Sequence, residues 1–507
     1  HQADFYCTFL RHRLLQLKII EAHDMLENFE DEGDANRSHR HLKPAGASGS
    51  ERRKEWKKYS RYDINVDPQQ DDRATEIKIC YFSRPHMRAF HCAWWSFFIA
   101  FFNWFAITPL LSDIRRDLGI SKFEIWTSSI ISVGGTIFIR IVLGPLCDKY
   151  GARILFSIVL CATAIPTACT GLIRTAGDLY ALRLFIGLAG GTFVMCEYWS
   201  SVMFADEVVG TANALVAGWG NLGAGVTQLV IGTWLYSLFK FMAGDSEIAW
   251  RTVCIIPALM SFVSGIVVYY ISDDCPKGDY HKLKKKGTMS ADVSASESFQ
   301  KACLNRNTWI LFLQYACSFG VELTMNNAAA LYFREEYELS MEAAAAIAAL
   351  FGWMNLFARG LGGILSDYAN YWYGTQGRVV MNFGLLAVEG FLVLVFSVTN
   401  SLASSIFTLV FFSLSVQAAE GAAFAVVPFV NPPVTGAVTG IVGAGGNVGA
   451  VCFGLLFREI DARSAFSIMG GTVLGISFLG FLINIPGSSS GNRSSTAAGN
   501  YNPIRPI

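Results

Sequence analysis

Charged residues are scarce in this chain, and their scarcity decides its class. Of the 507 residues, 16% are charged and 52% are hydrophobic, and the mean hydropathy is +0.37. Soluble domains rarely combine such values, so the composition indicates an integral membrane protein whose surroundings are the lipid bilayer. The formal net charge of +0 gives no support to nucleic-acid binding.

Cysteine motifs and a signal sequence are also missing. The twelve cysteines form no C-x-x-C pair, and most sit singly in apolar segments, as Cys161 and Cys317 do. We expect small core residues rather than metal ligands or disulfides, and we expect neither a metal nor another cofactor. Residues 1–90 lack the clean apolar segment of a cleavable signal peptide, so the first spanning helix is expected to direct insertion.

What the chain has instead is a series of apolar runs of about 20 residues, separated by short polar joints, from His91 onward. A polar stretch at 272–306, with K-L-K-K-K at 282–286, divides them into halves at 89–271 and 307–486. The runs predict twelve spanning helices at 91–112, 125–147, 153–173, 178–204, 208–238, 251–271, 308–333, 341–366, 377–398, 402–428, 434–457 and 464–485.

Basic residues fall on one side of this arrangement. They precede the first run, occupy the central stretch 272–306, and recur at Lys149, Arg153 and Arg378. By the positive-inside rule this side is cytoplasmic, together with both termini, and the plasma membrane is the expected location. Residues 1–88 carry interleaved charges and 487–507 are rich in Ser, Gly and Asn, so both are predicted to be largely disordered tails.

Two arginines stand deep inside apolar runs. Arg140 precedes Asp148 by eight residues, and the same spacing separates Arg359 from Asp367, 219 residues later. At about 1.5 Å per residue, each arginine lies about 12 Å inside the polar end of its helix, near the middle of the bilayer. A charge there costs about 2.5–3.5 kcal/mol on insertion. Matching arginines indicate a duplicated membrane protein.

Two asparagines repeat at a similar depth. Gly210 precedes Asn221, and Gly436 precedes Asn447, by eleven residues, or about 16 Å of helix. Gly218–Gly223 also matches G-x-G-x-x-G, but it lies inside an apolar helix and not in a strand-turn-helix unit, which excludes a dinucleotide site. Parallel repeats with polar groups at the midplane are typical of alternating-access carriers.

The paired arginines are most simply interpreted as an anion site. A guanidinium group donates two parallel hydrogen bonds, which suits a planar oxyanion. The alternative is a structural ion pair with a buried glutamate. For the Gly-Asn stretches the alternative is close helix packing, although packing alone does not explain a buried amide.

The residues Gly144, Asp148, Gly151 and Arg153 form G-x-x-x-D-x-x-G-x-R, a recurrent motif of the major facilitator superfamily. We expect an inter-helix charge clasp that holds one conformation; solvated turns are the alternative. The second half repeats the motif at Gly363 and Asp367, with the final arginine displaced to Arg378. The predicted fold is all-α, with twelve transmembrane helices in two pseudo-symmetric six-helix halves, the major facilitator fold.

Four acids lie within predicted spans: Glu197, Glu322, Glu389 and Glu420. Intramembrane carboxylates are candidates for proton relay, although some can serve to balance the arginines. Glu322 ranks first because it lies near mid-span in helix seven, which lines the central cavity in this superfamily. Glu197 ranks next, and Glu420 is a third candidate.

Residues 84–485 resemble the nitrate/nitrite porters of this superfamily, particularly the eukaryotic high-affinity nitrate transporters. The resemblance rests on R-P-H-M-R-A-F-H-C-A-W-W-S-F-F at 84–98, T-F-V-M-C-E-Y-W at 192–199, A-G-W-G-N-L-G at 217–223, F-G-V-E-L-T at 319–324 and G-A-G-G-N-V-G-A at 443–450. It implies that Arg140 and Arg359 bind nitrate and that Asn221 and Asn447 lie in the signature helices. It also implies aromatic walls at Tyr315, Phe193 and Phe424.

The expected function is therefore import of nitrate, with nitrite as a second candidate substrate, by proton symport. Moving one anion inward against an inside-negative potential costs about 2.3 kcal/mol per 100 mV, so more than one proton must accompany each anion. A nitrate/nitrite exchanger and a nitrate sensor are the alternatives. An enzyme is least expected, since no nucleophile-base or metal-ligand set occurs. A small accessory membrane protein is a further candidate partner.

Overall fold

The computed structural model describes residues 62–280, 283, 294–339 and 341–485, and every structural statement below concerns these residues. Within them, eleven helices are long and apolar enough to cross a membrane. With Arg306–Tyr337 as α7, the long helices are α1 His86–Leu110, α2 Phe123–Tyr150, α3 Ala152–Leu172, α4 Ala176–Met203, α5 Val209–Ala243, α6 Ser246–Ile271, α8 Ala346–Tyr373, α9 Thr375–Ser397, α10 Leu402–Phe429, α11 Pro432–Glu459 and α12 Ala462–Leu482.

Helix α7 is the long helix that falls outside the apolar set. It runs for 32 residues and packs against α8, α10 and α11. Its hydropathy is reduced by polar side chains such as Gln314 and Glu322, both of which are buried inside the protein. The prediction of an all-α membrane protein is confirmed, and the predicted helices occur with ends that differ from the expected ones by at most seven residues. Polar side chains of the seventh helix, such as Gln314 and Glu322, lie in the protein interior.

The two halves meet closely along α2–α11 and α5–α8. A methyl group placed on Gly144 would lie 2.5 Å from the Gly436 carbonyl oxygen, and one on Gly363 would collide with the Gly210 carbonyl oxygen. Only glycine permits backbones to approach so closely. The glycines of the repeated motif therefore act as contact points between the halves.

Each motif aspartate binds the first turn of a helix in the opposite half. Asp148 accepts hydrogen bonds from the backbone N–H groups of Gly436 (2.8 Å) and Ala437 (3.0 Å). Asp367 accepts from those of Gly210 (3.1 Å) and Thr211 (2.6 Å). A carboxylate at a helix N-terminus satisfies free N–H groups and is favoured by the helix dipole. We call this end of the bundle the basic end, because Arg153 and Arg378 lie there.

The expected clasp between Asp148 and Arg153 is wrong as a direct ion pair. Asp148 is occupied by α11 and by the Ser298 hydroxyl, which donates to it. Arg153 instead pairs with Asp274 and Asp279 after α6, at 3.3 Å each. Burial raises the pKa of the Asp274 carboxyl, an effect that Arg153 partly offsets.

The second-half clasp does contain the ion pair. Arg378 Nη1 lies 2.5 Å from Asp367 Oδ1, and its Nη2 donates to the Asp206 carbonyl oxygen of the other half. Each half therefore builds its contact at the basic end differently.

The prediction of disorder for residues 1–88 is wrong for 62–88; residues 1–61 lie outside the described part. Strands β1 (Val66–Asp67) and β2 (Arg73–Ala74) form an antiparallel hairpin at the basic end. The backbone N–H of Ala205 donates to Ala74, and Arg84 pairs with Asp273 at 2.6 Å. The charged residues of 62–88, which in the sequence suggest a solvated tail, thus include an ion-pair partner for the chain that follows α6.

Two other predictions fall partly or wholly outside the described residues. The C-terminal tail from 486 lies outside them, as does most of the basic cluster at 282–286. In the central stretch the structure shows a short helix, Ala295–Cys303, packed on α2 and α11. Ten cysteines of the described part are free thiols as expected, whereas Cys80 is disulfide-bonded and departs from that expectation.

Candidate substrate site

The structure brings Arg140 of α2 and Arg359 of α8 to one place at the centre of the bundle. Arg140 lies over the rings of Phe193 and Phe319, at 4.7 and 5.1 Å from their centroids. Arg359 lies over the same two rings at 6.0 and 5.9 Å. The side chains are 0% and 1% exposed. One arginine from each half thus shares a common aromatic surface.

Arg140 is held by backbone carbonyls. Its Nε donates to Gly190 (2.9 Å) and its Nη1 to Gly443 (2.7 Å), whereas Nη2 has no hydrogen-bond partner in the described structure. Gly190 lies in the 3-10 turn Leu188–Gly191 of α4, and Gly443 belongs to α11 of the other half. No acid of the described residues lies within ion-pair distance of Arg140. Its charge is oriented but not neutralised.

Arg359 is held by acids and a phenol. Its Nη2 forms an ion pair with Glu420, donates to the Tyr315 hydroxyl at 3.2 Å, and lies 4.0 Å from Glu322. Its Nη1 has no partner among the described residues. The alternative of a buried arginine–glutamate ion pair is therefore correct for Arg359. Arg359 nevertheless keeps one free donor group.

Aromatic rings surround both guanidinium groups. Tyr315 stacks on Phe319 with centroids 5.3 Å apart and planes at 7°, and it lies 5.7 Å from Phe193. Phe424 contacts Phe193 and Tyr315 edge-on, at 4.7 Å each. The three predicted rings are thus brought together. Phe319 was missed in the sequence, although it follows Tyr315 by four residues on α7 and so shares its face.

The two asparagines lie near the arginines but do not touch them in the described structure. Asn221 and Asn447 are 3% and 0% exposed, and neither amide has a hydrogen-bond partner within the described ranges. Gly443, which binds Arg140, precedes Asn447 by four residues, or about 6 Å of helix. An unpaired buried amide costs about 1–3 kcal/mol, so these side chains indicate a place for a polar ligand or water.

The predicted proton-coupling acids are in three different environments. Glu420 pairs with Arg359, and Glu322 accepts a 2.8 Å hydrogen bond from Asn355 while lying at the edge of ion-pair distance from Arg359. Glu197 is 1% exposed, and neither oxygen has a partner among the residues described. Asn355 was missed in the sequence; it lies one turn before Arg359, on the same side of α8.

This arrangement can bind a small planar anion. The free Nη2 of Arg140 and Nη1 of Arg359 are donors from opposite halves, and a planar oxyanion offers acceptor oxygens to both. Nearly complete burial of Arg140, Arg359 and the rings shows that the site is closed to both sides. Charge interactions are stronger in such a water-excluded site than at a surface.

Comparisons with known proteins identify the family of this chain. Residues 93–454 match the family model of the Major Facilitator Superfamily. The chain is similar to high-affinity nitrate transporter 2.3 of Oryza sativa subsp. japonica (36% identity; 87% of this chain, 86% of the relative) and to high affinity nitrate transporter 2.5 of Arabidopsis thaliana (38%; 78% of each). A nitrate/nitrite transporter, NrtP, of Nostoc punctiforme is 26% identical (77% of this chain, 91% of the relative).

Solved structures share the fold. The proton:xylose symporter XylE, bound to 6-bromo-6-deoxy-D-glucose, superposes with a TM-score of 0.59 at 10% identity, covering 78% of this chain and 94% of that one. The human organic anion transporter MFSD10 gives 0.56 at 13% identity, covering 78% and 99%. At such identities the likeness concerns the fold alone. The sequence relatives and the family model together show that this chain belongs to the high-affinity nitrate transporter family of the major facilitator superfamily.

Proposed function

We propose that this protein imports nitrate across the plasma membrane by proton symport through alternating access. The observation that carries the proposal is the pair of buried arginines, one from each half, that share Phe193 and Phe319 and each keep a free N–H group. Relatives named as nitrate transporters support the choice of nitrate over other oxyanions. Nitrite is a second candidate substrate, since it presents two oxygens to the same donors.

Nitrate binds between the two free donors. It accepts hydrogen bonds from Arg140 Nη2 and Arg359 Nη1, and the stacked Phe193, Phe319 and Tyr315 rings exclude water around it. Because both arginines contact the ion, its binding draws the two halves together. Asn221 and Asn447 lie about one helical turn away and offer amide donors as the halves move.

Proton coupling acts through Arg359. Ionised Glu420 and Glu322 compete with nitrate for this guanidinium group, since all three are anions near one cation. Protonation of either acid removes that competition and makes nitrate binding more favourable. Nitrate binding favours protonation by the same factor, as linkage requires. Proton and anion are then carried in the same step.

Alternating access uses the contacts at the basic end, which we assign to the cytoplasm. In the described conformation α2 contacts α11 and α5 contacts α8 through glycines, and both aspartates bridge the halves. Opening toward the cytoplasm must break the hydrogen bonds of Asp148 and Asp367. These two residues, with Gly144 and Gly363, form the gate on that side.

A nitrate/nitrite exchanger is the second candidate function. The Arg359–Glu420 ion pair favours it, because a carboxylate that stays paired throughout the cycle carries no proton. An exchanger would carry one anion each way without net charge.

Currents and tracer uptake in voltage-clamped oocytes distinguish these functions. We expect external nitrate to induce an inward positive current together with uptake of ¹⁵N-nitrate, both larger at acidic external pH. Uptake without current that depends on internal nitrite would establish the exchanger. Nitrate binding to the purified protein with no uptake would contradict transport and leave a sensor.

A further inference from the structure

Glu389 is a buried acid that the substrate site does not use. It lies near the middle of α9, it is 0% exposed, and neither carboxyl oxygen has a hydrogen-bond partner in the described part of the chain. Its helical neighbours Leu386 and Val393 belong to an apolar cluster with Val321 of α7 and Val473 of α12. The carboxyl group therefore stands in an apolar environment.

Glu389 is surrounded by residues of α7, which also contributes to the substrate site, and of α12. On α7, Cys317 and Val321 belong to the same apolar cluster as Leu386 and Val393, and Glu322 directly follows Val321. On the other side, α12 approaches so closely that a methyl group on Gly390 would lie 2.5 Å from the Leu474 nitrogen. No cation among the described residues pairs with Glu389.

A polar seam between α7 and α9 begins about two helical turns before Glu389 and lies toward the basic end. Asn382 of α9 donates to Gln314 of α7 at 2.8 Å, and Gln314 donates to the Ser477 carbonyl oxygen at 3.2 Å. Arg378 precedes Asn382 by one helical turn on the same buried face. The seam therefore lies between Glu389 and the gate at the basic end, and Asn382 precedes Glu389 by seven residues, or about 10 Å of helix.

An unpaired carboxylate in such a place is unfavourable. Removing an ion from water costs several kcal/mol even after the protein relaxes, and here neither a cation nor a donor compensates that cost. The neutral, protonated acid is therefore the form that fits the described conformation. Glu389 then holds a proton while the site is closed to both sides.

The fold itself does not require an acid here. Glu389 follows Arg378 by eleven residues, and in the repeated first half the residue eleven positions after Arg153 is Ala164, on α3. The two helices occupy equivalent places in their halves. Because alanine fills the equivalent position in the first half, packing alone does not explain why the second half has a glutamate there.

We propose that Glu389 carries one of the protons that accompany each nitrate, as a second proton site behind Glu322. The inference rests on the proposed symport, in which more than one proton per anion is required for inward movement of net positive charge. Glu420 and Glu322 respond to nitrate through Arg359, whereas Glu389 forms no ion pair with that cation in the described structure and responds through Glu322. An ionised Glu322 favours the neutral form of Glu389, so the charge state of one acid influences the protonation of the other.

The test compares Glu389→Gln with the matched variant Glu336→Gln, which makes the same change at an exposed residue paired with Arg463. Current and ¹⁵N-nitrate uptake are measured in the same clamped oocytes, giving the charge moved per nitrate. With two protons per nitrate, wild type and Glu336→Gln move about one positive charge, and Glu389→Gln moves about none. An unchanged ratio in Glu389→Gln overturns the proposal and leaves the proposed function intact.

If Glu389→Gln reaches the surface in normal amount but shows no net uptake, a measurement of nitrate exchange distinguishes a transport defect from a packing defect. Nitrate exchange is measured in proteoliposomes loaded with nitrate, where no net proton movement is needed. Retained exchange supports the proposal, and lost exchange overturns it by making Glu389 a packing residue. A wild-type protein that moves no positive charge with nitrate contradicts the proposed symport itself, which separates the two failures.

Discussion

The two halves hold their arginines in opposite ways. Arg140 of the first half contacts two backbone carbonyls and two rings, and no acid of the described residues pairs with it. Arg359 of the second half contacts Glu420 and Tyr315, with Glu322 at 4.0 Å. Glu197 and Glu420 occupy similar places on α4 and α10, yet only the latter pairs with its arginine in the described structure.

This difference separates two tasks within one repeated design. The charge of an arginine fixed by carbonyls does not depend on the protonation of a neighbouring acid, so in the proposed mechanism the first half supplies a constant anion receptor. The net charge around an arginine beside titratable acids depends on their protonation, so in the same mechanism the second half supplies the coupling. Duplication gave two equivalent positions, and the acid contacts distinguish them.

The largest effect is expected for Arg140→Lys. A lysine keeps the charge but cannot bind Gly190, Gly443 and nitrate through one planar group. We expect the catalytic efficiency of uptake to fall by about 100-fold or more, equivalent to losing about 3 kcal/mol of charged hydrogen bonding. Arg359→Lys should also weaken uptake severely, by about tenfold or more.

Tracer uptake normalised to surface amount is the measurement for both lysine variants. Near-normal uptake in both would remove the anion assignment, and a larger loss in Arg359→Lys would reverse the roles given to the halves.

The next effect concerns the acids beside Arg359. Glu322→Gln should retain nitrate binding or exchange while losing pH-dependent, current-carrying uptake, because the amide cannot take up a proton. Glu420→Gln releases Arg359 from its ion pair, so nitrate affinity at neutral pH should rise by about tenfold while its pH dependence diminishes.

Glu197→Gln is the matched change in the first half, where we expect a smaller shift. Apparent KM and current measured against external pH decide the question. Wild-type profiles in Glu322→Gln and Glu420→Gln would place the coupling elsewhere, and the same result at every intramembrane glutamate would favour the exchanger.

A smaller effect is expected for Asn221→Ala and Asn447→Ala. Asn447 follows Gly443, which binds Arg140, by four residues, and Asn221 follows Gly218, which lies against the Arg359 side chain, by three. We therefore expect the apparent KM for nitrate to rise about three- to tenfold, the loss of one modest hydrogen bond. Protein abundance should change less than KM. Unchanged KM with reduced abundance would make the Gly-Asn stretches packing elements only.

The smallest effect is expected at the gate. Asp148→Asn keeps an oxygen for α11 but loses the charge that favours its N-terminus, worth about 0.3–1 kcal/mol. Asp367→Asn also leaves Arg378 without its ion pair and should therefore open the basic end more. Labelling of a cysteine introduced at Ser298 by a membrane-impermeant reagent, in inside-out vesicles, measures that opening. Equal labelling in both variants would show that the Arg378–Asp367 ion pair contributes nothing to closure.

Much of the fold could be predicted because hydrophobic length and charge spacing are local signals. The deep burial of Arg140 and Arg359 could be predicted because eight residues separate each from an aspartate at the helix end. The partner of Asp148 could not be found this way, since α11 comes from the other half and binds it through backbone N–H groups, which carry no residue signature.

The pairing of Arg359 with Glu420 shows the same limit. Four buried acids looked alike in sequence. Which of them meets an arginine depends on how α10 packs against α8, and Glu420 and Arg359 are 61 residues apart in the chain. In the described structure Glu420 lies beside an arginine, whereas Glu389 and Glu197 do not pair with one. Phe319 and Asn355 could have been found from their helical spacing to Tyr315 and Arg359.

The central claim is that nitrate and proton bind together at Arg359, and isothermal titration of nitrate into the purified protein tests it most directly. Binding heats measured in two buffers of different ionisation enthalpy give the number of protons taken up per nitrate. We predict proton uptake in wild type at acidic to neutral pH and a clear reduction in Glu420→Gln or Glu322→Gln. Nitrate binding to wild type without any proton uptake over that range would contradict the account.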